Sequence, residues 1–139
     1  MIRVEVASQE EAEFIVKHPS VYGRVTDDSS PEAEVLEFPH LNVALAGYVG
    51  NKIASLYVVD PFTREMHFMV LDSFRGHARK LLEKSFNYYG KSVHCIIPLY
   101  YHDVIKFAIN SGFKIVNMVD NYRLIQGMYF KGVILERME

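Results

Sequence analysis

The stretch "VLDSFRGHARKLLEKSF", residues 70–86, decides how this chain is read. It leaves an apolar, strand-like segment, passes an Arg-Gly pair and enters a periodic run. In that run Ala78, Leu81, Leu82, Ser85, Phe86 and Tyr89 recur at helical spacing up to Gly90. Arg75, His77, Arg79 and Lys80 crowd the start of the helix. A helix N-terminus already carries unpaired N–H groups and a partial positive charge, so added cations are unfavourable there unless an anion offsets them. The stretch is therefore either a site for a phosphate-bearing ligand or a solvated basic helix start.

Working outward, "IRVEVA" (2–7) alternates as a strand, and Ser8 with Glu11 three residues later forms a capping box for a helix running to about Lys17, before Pro19. "TDDSSPEAEVLEF" restarts a short helix, with Ser30 as cap and Pro31 at its first position. Residues 41–49, 53–60 and 64–71 are separated by "GNK" and "PFT" and read as an antiparallel meander. After the helix ending at Gly90, "SVHCIIPLY" (92–100) has the continuous apolar character of a strand covered on both faces. "HDVIKFAINSGF" is a helix with Gly112 as its stop, and "KIVNMVD" and "MYFKGVILERM" are the closing strands, with "NYRLIQG" between or extending them. The expected architecture is α/β of the α+β type, a mixed twisted sheet of about seven strands in the order βααβββαβαββ. One domain over 1–139 is expected.

Composition restricts the function classes. Fifteen basic against seventeen acidic residues give a formal charge of −2, so no global electrostatic drive toward nucleic acid exists and no nucleic-acid partner is expected. No membrane partner is expected either, because no stretch approaches the length of a membrane span and the N-terminus lacks an apolar signal core. The single Cys95 sits in an apolar run, which excludes an intrachain disulfide and fits a reducing cytoplasm. The six histidines show no ligand spacing, so no metal site is expected, and no nucleophile elbow is present.

The order of elements and the turn at 75–80 resemble the GCN5-related N-acetyltransferase (GNAT) family. Val70 stands five positions before Arg75, as in the family's strand-turn-helix, and "RGHARK" occupies the turn whose amides cradle the pyrophosphate of acetyl-CoA. Physical chemistry agrees, since successive amides at a strand-to-helix turn form an anion-binding concavity reinforced by the helix dipole. The resemblance implies helices on both faces of a splayed sheet, acetyl-CoA as cofactor, and an amine acceptor, small-molecule or protein. It assigns Arg75, Gly76, His77, Ala78, Arg79 and Lys80 to the cofactor's phosphates, with Val70 and Leu71 along its pantetheine arm. The usually small turn positions fall on Ala78 and Lys80. "YYHDVIKFAINSGFKIV" is similar to the family's second signature through Gly112 and Phe113, but the usual proton-donating Tyr maps to Ala108.

Tyr101, or Tyr100 beside it, is then the candidate acid, with a purely structural tyrosine as the alternative. His67 is the candidate base, and it shares a strand face with Glu65. Asp27 and Asp28 are either turn residues or a recognition element for a cation. A narrower likeness, "HPSVY" followed by "DD", is to small tailed-phage proteins of this fold, some assigned to head assembly. It implies a protein of the bacterial host cytoplasm. The alternative function is a non-catalytic phage accessory or head-assembly protein that keeps the fold and binds a partner, a phage structural protein or a second copy in a homodimer, through its apolar and tyrosine-rich surface.

Overall fold

The computed structural model describes residues 1–22 and 43–139. β1 (Ile2–Val6), β2 (Val43–Val49), β3 (Lys52–Val59) and β4 (Met66–Val70) form an antiparallel sheet in that spatial order. β5 (Val93–Pro98), β6 (Lys114–Ile125) and β7 (Met128–Arg137) form a second antiparallel sheet, with β7 between β5 and β6. The helices are α1 (Gln9–Val16), α2 (Pro19–Tyr22), α3 (Ala78–Tyr89) and α4 (His102–Asn110). The described elements run βααβββαβαββ, but α2 is a short helix at Pro19 and not the one expected near Ser30, and the seven described strands divide into two sheets. Among the described residues a parallel bridge, Glu65 to His94, links their backbones, and the His94 N–H donates to the Arg64 carbonyl at 3.0 Å.

Local chemistry explains most of these elements. Ser8 Oγ accepts from the Glu11 N–H at 3.1 Å while the Glu11 carboxylate accepts from the Ser8 N–H at 2.9 Å, which satisfies two orphan donors at the start of α1. Ala12, Ile15 and Val16 form the buried face of α1. Gly90 (φ +72°) ends α3 in the left-handed conformation that glycine adopts without penalty. Two departures from the expected elements are local as well. Pro19 opens a short helix directly after α1, a position where its missing N–H costs nothing. "NYRLI" extends β6 to Ile125, because Gln126 (φ +52°) and Gly127 (φ +78°) make the two-residue turn that matches the twist of a hairpin. The helix expected near Ser30 and Pro31 lies outside the described residues, as do Asp27 and Asp28.

Two cores lie on opposite faces. Alternate residues of the first sheet, Leu45, Tyr57 and Val59, pack with Leu82 and Phe86 of α3, with Ile105 and Ala108 of α4, and with Cys95 and Leu135 of the second sheet. The intervening residues Ala44, Ala46, Leu56 and Val58 pack with α1. Each fully buried branched side chain among them contributes about 1.5–3 kcal/mol. Arg137 ties the second sheet to α3. Its guanidinium binds both Glu83 carboxylate oxygens, at 2.8 and 3.1 Å, and lies 3.9 Å from the centroid of the Phe86 ring. This bidentate pair fixes the helix that borders the space between the sheets.

Candidate functional site

Beyond the Glu65–His94 bridge β4 and β5 diverge, and the gap between them is a cleft of about 400 Å³. Its walls come from both faces of the sheets. On the α3/α4 face they are apolar: Phe68, Leu82, Cys95, Val104, Phe107 and Ala108. The strand edge contributes backbone. Asp60 N–H donates to the Glu65 carbonyl and Leu71 N–H to the Ala54 carbonyl, so antiparallel alternation makes 56/69 and 58/67 the hydrogen-bonded pairs of β3 and β4. The N–H and C=O groups of Phe68 and Val70 therefore turn away from β3, toward the cleft. An edge strand presented this way is a template for an extended, amide-bearing ligand.

Val70 lines the cleft at the end of β4. Leu71 does not line it: its side chain is buried in the α1-side core and its N–H is spent on Ala54 at 2.9 Å. Residues Asp72–His77 then form a 3-10 turn, an element that the sequence reading lacked. Arg75 in this turn is held by Asp72 at 2.7 Å, which answers part of the electrostatic question posed by the basic helix start. Both side chains are more than half exposed, so the pair is worth at most about 1 kcal/mol and its guanidinium stays within reach of a second anion. α3 follows with His77 in the cap position, no side-chain cap bond and no acidic residue in its first turn. Arg79 and Lys80 are exposed, so the Lys80 chain projects into solvent and does not fill the turn. Gly76 has open space where a Cβ would stand.

Tyr101 caps α4 and lines the cleft, with its ring edge-on to Tyr100 at a centroid distance of 4.5 Å. Ala108, two turns further along the same helix, also faces the cleft and brings no hydroxyl. His67 stands opposite Val58, whose side chain belongs to the α1-side core, so His67 opens to the other face of the sheet from Phe68. Its Nε2 lies 3.4 Å from Glu65 Oε1. The hydrogen bond from His67 holds the Glu65 carboxyl below its ordinary range against the opposing effect of burial. The candidate acid and base thus lie on opposite sides of one cleft.

Sequence reasoning missed Tyr122 and Arg123. Tyr122 lies over Gly132 and against Ile96 of β5, with its hydroxyl directed to the Ile96 carbonyl at 3.4 Å. Burial pushes its phenol pKa up. The Arg123 guanidinium is 5.8 Å from the Tyr122 ring centroid. A register shift between Val119 and Arg123 brings both to the cleft, and its signal is the "DN" pair that interrupts the alternation of β6. Burial pushes the Cys95 thiol up to about 12, so it is a neutral wall atom. Among the described residues no three His, Cys, Asp or Glu side chains are placed to hold a metal, and no helix is long and apolar enough to cross a membrane.

No family model matches the chain, and no curated protein matches it by sequence. Solved structures do match over essentially its whole length. A ribosomal-protein-S18-alanine N-acetyltransferase from Escherichia coli superimposes with a TM-score of 0.74 at 13% identity, over 99% of this chain and 94% of that one. A variant spermidine N-acetyltransferase from Vibrio cholerae gives 0.75 at 12% identity, over 99% and 93%. A GNAT-family acetyltransferase from Streptococcus pneumoniae gives 0.70 at 11% identity, over the full length of both chains. The strand order, the splay at β4 and β5 and these superpositions together establish that the chain has the GNAT fold.

Proposed function

We infer that the protein is an acetyl-CoA-dependent N-acetyltransferase. The observation that carries this is the β4 edge turned toward one apolar cleft between the sheets and followed directly by the basic turn and helix start that carry Arg75, Arg79 and Lys80, which stand beyond the cleft's lining residues. The residues present fit the cofactor. The exposed cations Arg75, Arg79 and Lys80 suit a pyrophosphate, and the backbone of Phe68 and Val70 suits the amide-bearing pantetheine arm, while the Ala78 N–H is already spent on the Arg75 carbonyl. When bound, acetyl-CoA supplies an activated acyl group whose C–S bond is exchanged for a C–N bond to the amine. His67 takes the proton that the ammonium acceptor must lose before its nitrogen attacks, and the Glu65 carboxylate at Nε2 orients the imidazole. Tyr101, on the opposite wall, returns a proton to the departing thiolate. The apolar wall at Cys95, Phe107 and Leu82 keeps water from the thioester.

Calorimetric titration with CoA, together with release of free thiol from acetyl-CoA in the presence of amines, tests the assignment. Saturable binding at one site is expected, with a rise in stability of about 2.7 kcal/mol at a hundredfold excess over Kd. Absence of heat and of any thermal shift at millimolar CoA refutes it. A second function, a phage accessory or head-assembly protein that keeps the fold without turnover, is favoured by one observation: the helical position that the GNAT resemblance gives to a tyrosine faces the cleft as Ala108. CoA binding without thiol release from any amine supports that second function.

A further inference from the structure

The described strands leave four outer edges, and three of them are accounted for. β4 and β5 border the cleft, while β1 is five residues long and carries the Arg3–Glu5 ion pair at 3.6 Å, which blunts a free edge. β6 is different. It runs for twelve residues without a proline, and among the described residues β7 is its one strand partner. Every side chain from Lys114 to Met118 is exposed. Ile115 and Met118 stand opposite the buried Leu135 and Val133, so they carry the apolar α3/α4 face out to the rim of the sheet. Ile115, Val116 and Met118 are 47–53% exposed. The backbone is aimed outward as well. Leu99 N–H donates to the Lys131 carbonyl at 2.8 Å, so alternation along β7 turns Val133 and Leu135 toward β5, and Gly132 and Ile134 toward β6. Their partners Val119 and Asn117 are the hydrogen-bonded residues of β6, which leaves the Met118 N–H and C=O facing away from the sheet. That N–H donates to its own neighbour, Asn117 Oδ1, at 2.8 Å, a local substitute for a strand partner.

We propose that the β6 edge is the interface with a second copy of this chain, antiparallel to the first about a two-fold axis at Met118. The inference does not rest on the transferase assignment. The edge is self-complementary: a neutral, apolar centre is flanked by Lys114 on one side and Asp120 on the other. A two-fold at Met118 brings Lys114 of each copy diagonally within reach of Asp120 of the other, and the two Met118 residues exchange N–H···O bonds across the axis. Asp120 is 3.6 Å from Lys131, but that pair is well exposed and leaves a carboxylate oxygen for a second cation. Register shifts after Ile115 and after Val119 confine the straight ladder to Asn117–Val119, so side chains carry most of the contact. Residues 23–42 are the other candidate cover. Val21 and Ala44, near the two ends of that segment, pack in the α1-side core, whereas Ile115 and Met118 lie on the opposite face.

Analytical ultracentrifugation of the full chain from low- to high-micromolar concentration tests this, with amide exchange at Met118 followed in the same samples. The mass is expected to rise with concentration from 16.0 kDa to twice that value, and the Met118 amide to exchange more slowly as it does. Met118→Lys sets two ammonium groups against each other at the axis and should weaken self-association at least about 100-fold. Lys114→Glu, which faces Asp120 of the other copy, should weaken it about 10-fold at low salt, and adding Asp120→Lys should restore it. All three side chains are exposed, so unchanged far-UV dichroism and thermal unfolding show that the variants fold. A dimer indifferent to Met118→Lys, or a double variant that fails to recover, overturns the two-fold at this edge. A protein that is monomeric at every concentration also overturns the inference: a slow Met118 amide would then assign the edge to residues 23–42, and a fast one to a different partner.

Discussion

Replacing Gly132 by alanine should strike the site and the fold together. A Cβ built there would stand 2.8 Å from Cγ and Cδ2 of Tyr122 and 2.8 Å from Cγ2 of Ile96. Carbon atoms pack at about 3.5–4.0 Å, so the Tyr122 ring has to lift by roughly 1 Å or the Ile96 strand has to yield. Overpacking of this kind costs about 1–3 kcal/mol, which for a chain of this length lowers Tm by roughly 3–12 °C. Because the Arg123 guanidinium lies 5.8 Å from the centroid of the same ring, lifting Tyr122 also disturbs a cation that lines the cleft. A double-mutant cycle isolates the contact. Tyr122→Ala removes the ring's share of the overlap and leaves the Ile96 contact in place, so the double variant should be more stable than the sum of the singles by about 1 kcal/mol. Chemical denaturation of the four proteins measures this. Additivity within about 0.3–0.5 kcal/mol would show that the ring does not lie over Gly132 in solution.

Other expectations follow from the same geometry. Arg75→Glu and Lys80→Glu should each weaken CoA binding by about 1–3 kcal/mol in calorimetry, since a carboxylate replaces a phosphate-side cation, and unchanged affinity in both removes the placement at this turn. Stability should change by less than about 1 kcal/mol, because the Arg75–Asp72 pair is exposed. Tyr101→Phe should lower turnover at least about 100-fold with CoA affinity retained, while full activity assigns the acid to Tyr100 or water. His67→Ala should remove the limb of the pH–rate profile that reports the base, and an identical profile in both proteins excludes the imidazole. For Cys95, burial raises the thiol to about 12, so the folded state binds its proton more tightly than the unfolded chain does. Its contribution to stability is complete below the ordinary thiol value and is lost as pH rises toward about 12. Cys95→Ala should flatten that alkaline decline, and native Cys95 should resist alkylation at pH 8 until the chain unfolds; rapid labelling of the native protein contradicts the burial.

What the sequence alone determined is whatever short-range chemistry decides. The stripe from Ala78 to Tyr89 and the Gly90 stop specify α3, Ser8 with Glu11 specifies the start of α1, and "GNK" closes a hairpin, because each depends on contacts within a few residues. The same reasoning places Val70, Arg75 and Lys80 around one strand-to-helix turn. It did not reveal that alternation along β4 sends Leu71 into the α1-side core, or that Tyr122 and Arg123 reach the cleft through a register shift. Tertiary structure alone decided that β7 lies between β5 and β6, that a bridge from Glu65 to His94 links the two sheets, and that His67 and Arg123, 56 positions apart, line one cleft. Strand pairing between distant segments is selected by the summed burial of both cores, with Arg137 clamping the second sheet to Glu83 of α3. No local pattern encodes that sum, so the chemistry of the cleft became legible only when the strands had been brought to its edges.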